Sequence, residues 1–287
     1  MTMFLDLRAI PSGGFVAHEV RVVDALTQTT ITALEFEGRA RGRNLVLATH
    51  GFNVNSEAGV DSLTKWDALC ALPSPWEYVG VLWPGDSRYL PVLDYPIEGS
   101  VALDSGRLLA RFLNEHTAGA ASLSLVSHSL GARTVLETVQ NLERRVAVLI
   151  MMAGAIEDDC MTNEYALALK KVGRVHIVAS RSDWVLHYAF PLGNLVGQIL
   201  MHGHPYFRTA LGRQGPHSVA RLDAHYQLWQ IPDGWKYVHG DYMPGDEVDA
   251  RMAPPIKVPT PDEAVPRATD DWKACWSAGV IATQFEG

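Results

Sequence analysis

Short apolar runs separated by amphipathic stretches set the plan of this chain. Residues 15–40 alternate apolar and polar side chains, as at Val20, Val22 and Val23 and in Ala33-Leu34-Glu35-Phe36-Glu37, and predict two antiparallel strands. Gly38 to Arg43, rich in Gly and Arg, is the turn to the next strand. Asn44 to Thr49 is almost wholly apolar, which predicts a strand buried on both faces and therefore paired in parallel. Tyr78 to Trp83, residues 123–127, Val146 to Met152 and Val175 to Ala179 repeat that signature, and Tyr237-Val238 is a candidate for the last short strand. Between these runs the apolar period lengthens to that of a helix. Val60, Leu63, Trp66, Leu69 and Cys70 share one face; Val101, Ser105, Leu108, Leu109 and Phe112 share another; Val135, Leu136, Val139 and Leu142 share a third. A short helix is expected over Tyr165 to Lys171. Strands alternating with helices predict the α/β class with a mostly parallel sheet and helices on both faces.

Three stretches depart from this rhythm. Pro84 to Ser100 reads as a loop, long enough to suggest a functional segment. Residues 184–216, with Trp184, Tyr188, Phe190, Leu192 and Leu195, read as a small apolar cap that includes a helix around Val196, Ile199 and Leu200. From Pro244 the chain becomes Pro-rich. One domain over residues 1–243 is expected, followed by an extended surface tail over 244–287.

Composition narrows the function classes. The 287 residues are 47% hydrophobic, enough for one large core, and the formal net charge is -8. A sequence pI of about 5.7 argues against a nucleic-acid footprint, which needs a basic patch or stripe. Cys70, Cys160 and Cys275 are widely spaced and form no CxxC pair, so a disulfide framework or a thiolate metal site is not expected. The N-terminus lacks a basic region leading into a long apolar one, and no stretch approaches the roughly 18 apolar residues of a membrane span. The expectation is a cytoplasmic protein acting on a small molecule; its oligomeric state is not legible.

The chemistry centres on Ser124-Leu125-Val126-Ser127-His128-Ser129-Leu130-Gly131. An apolar strand stops in small residues and a helical pattern starts at once. This is the grammar of a nucleophile elbow, G-x-S-x-G, with Ser127 in place of the first glycine. Small residues are needed two before and two after the nucleophile because strand and helix backbones approach closely there, and serine is small enough. Ser129 could equally cap a helix on local grounds.

A serine that attacks an acyl group needs oxyanion donors, a base and an acid. The Leu130 N–H, at a helix start, is one candidate donor. The second would come from His50-Gly51-Phe52-Asn53, at the end of a buried strand, with the Phe52 N–H the first choice. His50, before the glycine, is assigned to holding that loop. Candidate acids are Asp183, after the strand 175–179, and Glu157, Asp158 or Asp159, after the strand 146–152. Candidate bases are His239, His217 and His225. His202 and His204 have the look of a metal pair but lack a carboxylate at ligand spacing, so no metal or other cofactor is expected.

The set His50-Gly51-Phe52-Asn53, Ser127-His128-Ser129-Leu130-Gly131, Ser182-Asp183 and His239-Gly240-Asp241-Tyr242, in that order, resembles the α/β-hydrolase superfamily. It is most similar to a bacterial branch of unknown function that carries an H-G-[FY]-N loop and an A-H-S-[ML]-G elbow, and the likeness spans about residues 44–242. The resemblance implies an α/β-hydrolase fold, hydrolysis of esters, thioesters or amides without a metal, and a triad of Ser129, Asp183 and His239. The chain order Ser, Asp, His fits that scaffold. Asn53, His128, Tyr89, Tyr95 and Trp184 are expected to line the substrate site. The functional expectation is a carboxylesterase. A thioesterase or amidase with the same triad, or a silent binding scaffold of the same fold, stands as the alternative.

Overall fold

A computed structural model describes residues 3–10, 14–86, 91–189, 209–217, 225–244 and 271–285, excepting the side chains at 91–98, 188–189 and 271. Nine strands form one sheet: β1 (Met3–Arg8), β2 (Val16–Asp24), β3 (Thr30–Ile31), β4 (Asn44–Thr49), β5 (Trp76–Leu82), β6 (Ser122–His128), β7 (Val146–Met152), β8 (Val172–Ser180) and β9 (Tyr226–Ile231). Their order is β3-β2-β1-β5-β4-β6-β7-β8-β9. The β1–β2 and β2–β3 pairs are antiparallel, whereas every pair from β1–β5 to β8–β9 is parallel. Leu45, Val46, Leu47, Leu123, Leu125, Val126, Leu149 and Ile150 are buried in the central strands. A strand covered on both faces has no polar side to show, and this is why these runs read as continuous apolar blocks.

Among the described residues the helices of eight residues or more are α1 (Ala33–Ala40), α2 (Ser56–Cys70), α3 (Pro91–His116), α4 (Gly131–Asn141) and α5 (Asp271–Ala282). Helix α2 starts where the Asn55 side chain accepts from the Ala58 N–H at 2.9 Å, and it ends at Ala71 in a left-handed conformation. Among the described residues no helix is long and apolar enough to cross a membrane.

Four expectations are corrected. Ala33 to Glu37, read as a strand, is helical. Thr32 and Glu35 form a reciprocal capping box, and Phe36 and Ala40 turn inward at helical spacing. Pro84 to Ser100, read as loop, is helical from Pro91 onward, so α3 starts well before the amphipathic stretch that announced it. Tyr165 to Lys171 is a turn that closes in a short 3-10 segment, Ala168–Lys171. Among the described residues the last strand is not Tyr237-Val238 but Tyr226–Ile231, closed by Pro232-Asp233-Gly234.

The Pro-rich extension is also not simply a surface tail. Its end is α5, with Trp276, Ala278, Val280 and Ile281 buried and Phe285 packed 4.6 Å from the Trp76 ring. Of the expected cap, residues 190–208 lie outside the described residues. Its described ends are a π-turn, Val185–Ala189, and a return through Thr209 and Ala210, whose backbones pair with Asp158 and Glu157 after β7.

Candidate active site

Strand order places the crevice. From β4 the chain moves to β5 on one side, then crosses to β6 on the other side of β4. The carboxyl ends of β4 and β6 therefore flank a topological switch point, where open α/β sheets bind their ligands. His50-Gly51 leaves one of these strands and His128-Ser129 the other.

The two strand ends are in contact. A Cβ on Gly51 would come within 2.7 Å of the Ser129 Cβ and 3.4 Å of its Oγ, and one on Gly131 would lie 2.5 Å from the His50 carbonyl oxygen. Only glycine lets the loop after β4 lie against the elbow. Ser129 sits at φ 55, the left-handed region that side chains avoid. Its own N–H is spent on the Met152 carbonyl at 2.9 Å, and its carbonyl accepts from Ala132 and Ala155. The next amide, Leu130 N–H at the N-cap of α4, has no acceptor among the described residues. Ser127, the departure from the elbow pattern, is fully buried and its hydroxyl reaches the Ile150 carbonyl at 3.4 Å.

The loop that holds Phe52 is braced from below. Arg8, at the end of β1, has a fully buried side chain that pairs with Asp86 and donates to the Val54 carbonyl at 2.7 Å. The Asn53 N–H donates to the Gly85 carbonyl at 2.7 Å. Asn53 is at φ 59, which swings the chain out of the β4 direction and into α2. Phe52 is half-buried and Asn53 exposed at this edge.

Three side chains from distant parts of the sequence meet at the elbow. His239 Nε2 is 2.8 Å from Ser129 Oγ, and His239 Nδ1 is 2.7 Å from Asp183 Oδ2. Asp183 follows β8, is fully buried, and its other oxygen accepts from the Leu186 N–H at 3.0 Å. Two of the rival acids are bound elsewhere: Glu157 by Arg133 at 2.7 Å and Asp159 by Asn163 at 2.7 Å. The third, Asp158, accepts from Thr209 at 2.5 Å and stands 3.7 Å from His217, so this acid and this rival base face each other. His225 precedes β9, with its backbone carbonyl bonded to the Val175 N–H.

The neighbouring histidines are structural in their contacts. His50 is fully buried, donates from Nδ1 to the Gly51 carbonyl at 2.9 Å and stacks on Trp83. This matches the loop-holding part expected of it. His128, expected against the substrate, is instead buried and donates from Nε2 to the His239 carbonyl at 2.8 Å. Its ring lies 5.0 Å from that of His239 and 5.9 Å from that of Tyr242. Side-chain roles like this leave no sequence signal beyond the position itself.

Burial lowers the pKa of both rings to about 3, helped by the Arg8 charge at His50 and by His239 at His128. In an unfolded chain they protonate near 6.5. Above that value neither state holds the protons. Between it and about 3, the unfolded chain takes up protons that the folded chain refuses. Stability is therefore expected to fall as pH drops through this window and to be unaffected by these two groups above it. Thermal unfolding at stepped pH checks this. His128→Gln, which keeps a donor for the His239 carbonyl, should make the decline shallower; an unaltered slope would remove His128 from the account.

The remaining expected site residues divide. Trp184 is 60% exposed beside Asp183, at the same edge of the sheet. Tyr89, His202 and His204 lie outside the described residues, as does the side chain of Tyr95. Among the described residues no group of three or more His, Cys, Asp or Glu side chains could hold a metal ion.

Residues 26–239 match the family described as alpha/beta hydrolase of unknown function (DUF900). No curated protein matches the chain.

Proposed function

We propose, from the premise that the chain belongs to the α/β-hydrolase family it matches, that it cleaves carboxylic esters through Ser129, His239 and Asp183. The observation that supports this most directly is the relay of contacts. Ser129 Oγ lies 2.8 Å from one ring nitrogen of His239, and buried Asp183 lies 2.7 Å from the other.

The chemistry turns on which atoms can hold the proton. Asp183 accepts from Nδ1–H, so the lone pair of neutral His239 faces Ser129 Oγ. As the hydroxyl oxygen attacks an acyl carbonyl, its proton passes to Nε2, and Asp183 stabilises the imidazolium. The negative charge that develops on the carbonyl oxygen falls beside the elbow. There the Leu130 N–H is without an acceptor among the described residues, and the Phe52 N–H is the second donor in this reading. One such donor typically lowers the barrier by about 2.7–4 kcal/mol. His239 then gives its proton to the leaving alcohol, which departs and leaves an acyl-Ser129 ester. Water, deprotonated by the same nitrogen, attacks the acyl carbon, and as the bond to Ser129 Oγ breaks Nε2 returns the proton to that oxygen and the acid is released.

The test is reaction of the whole protein with a fluorophosphonate probe, followed by peptide mapping. Label confined to Ser129 is expected, because only an activated serine reacts. A folded protein that takes no label would sink the triad and leave a binding scaffold. A panel of activated esters, thioesters and amides then decides the bond cleaved, with esters expected to turn over fastest.

A further inference from the structure

The base has a long way to travel. His239 comes after β9, which lies three strands from β6 in the sheet order, about 14 Å at ordinary strand spacing. Residues 232–239 must run back over the ends of β8 and β7 to bring the ring to Ser129. They do so without regular strand pairing, through two short 3-10 segments, Asp233–Trp235 and His239–Tyr242. A loop of this kind has no ladder to fix it, so its precision must come from side chains.

Much of that precision comes from α5. The Lys273 ammonium donates to the Lys236 carbonyl at 3.0 Å and to Asp241 Oδ2 at 2.7 Å. It thereby joins a point three residues before His239 to one two residues after it. The same Asp241 oxygen accepts from the Val238 N–H at 2.6 Å, closing the turn around the base. One helical turn along, Ser277 meets the Tyr237 hydroxyl at 2.5 Å, and that hydroxyl also donates to the Lys273 carbonyl. Trp235 lies edge-on between Trp272 and Trp276, 5.0 and 5.4 Å away. The sheet side supplies the opposing contacts: Ser180 Oγ to the Tyr237 carbonyl at 2.6 Å, and His128 Nε2 to the His239 carbonyl.

We propose that α5 is a positioning element of the active site, with Lys273 as the residue that holds the His239 loop in its reactive register. The proposal rests on the triad reading given above. Lys273 touches neither substrate nor reacting atoms; it acts through Asp241 and Lys236. Its side chain is only 10% exposed and that of Asp241 17%, so the pair is shielded from water and its loss is not made good by solvent. A ring displaced by an ångström from Ser129 Oγ costs about 10²-fold in rate.

Lys273→Met, Lys273→Arg and Asp241→Asn in the full chain test this. For Lys273→Met, kcat on an activated ester is expected to fall about 10²-fold with KM within about twofold; the fluorophosphonate should label Ser129 more slowly to match. Lys273→Arg should recover most of the loss. Amide hydrogen exchange over residues 236–242 is expected to speed up in Lys273→Met while that of β4 and β6 stays slow. Asp241→Asn keeps an acceptor for Val238 but loses the ion pair, and it decides the matter if Lys273→Met does not fold. Folded Lys273→Met and Asp241→Asn proteins with unchanged exchange at 236–242 and unchanged labelling would overturn the proposal. Failure of the wild-type protein to label would instead refute the triad, and exchange would still report on the tether.

Discussion

Replacing Ser129 with alanine is expected to lower kcat/KM for an activated ester by about 10⁵-fold or more. Among the described residues no neighbouring side chain is placed to substitute for it. Ser127 is buried with its hydroxyl toward the Ile150 carbonyl, and Ser124 is buried within β6. Alanine preserves the close fit against Gly51, where a Cβ would come within 2.7 Å of the Ser129 Cβ, and the backbone bond from residue 129 to Met152. The unfolding midpoint should therefore move by no more than a few degrees. Activity retained within tenfold in a folded Ser129→Ala protein would refute this serine as the nucleophile.

Asp183→Asn is expected to cost about 10⁴-fold in kcat while leaving KM nearly unchanged. The reason is local. Asp183 Oδ1 accepts from the Leu186 N–H at 3.0 Å, and that backbone donor needs an oxygen. In the variant the amide carbonyl must stay there, which turns the NH₂ group toward His239 Nδ1. A donor facing Nδ1 forces that nitrogen to give up its proton. The proton then sits on Nε2, and the ring has no lone pair left for Ser129. Steady-state kinetics alongside the Asp183→Glu protein check this; activity within about tenfold of wild type in Asp183→Asn would mean that the carboxylate does not set the tautomer.

The residues brought together at the elbow were legible because each comes just after a strand whose apolar run is self-evident. Ser129, Asp183 and the His50-Gly51 loop sit directly after β6, β8 and β4, so finding the strand finds the residue. His239 was legible by its order in the chain and its type, but not by its support. The strand before it is Tyr226–Ile231, and the loop that carries it packs through Trp235 and Tyr237 against Trp272 and Trp276 of a C-terminal helix. Proline content hid that helix. Yet Trp272, Trp276 and Val280 recur at helical spacing, and Lys273 and Ser277 share a second face. Ala33 to Glu37 misled for a different reason. Its alternation is equally a helix with Ala33, Phe36 and Ala40 inward, and the Thr32–Glu35 capping pair was the deciding sign. Contacts such as His128 to the His239 carbonyl depend on two backbones meeting in space, and no one-dimensional pattern encodes them.

The backbone at Ser129, φ 55, has a bearing on how such chains change over time. Holding a side chain in that conformation costs about 1–2 kcal/mol relative to glycine. Random substitution under selection for stability alone would drift toward glycine at this place. Backbone conformation alone gives serine no advantage over glycine there. On the triad reading proposed above, glycine at the elbow tip in a related sequence would mark a member that had abandoned hydrolysis.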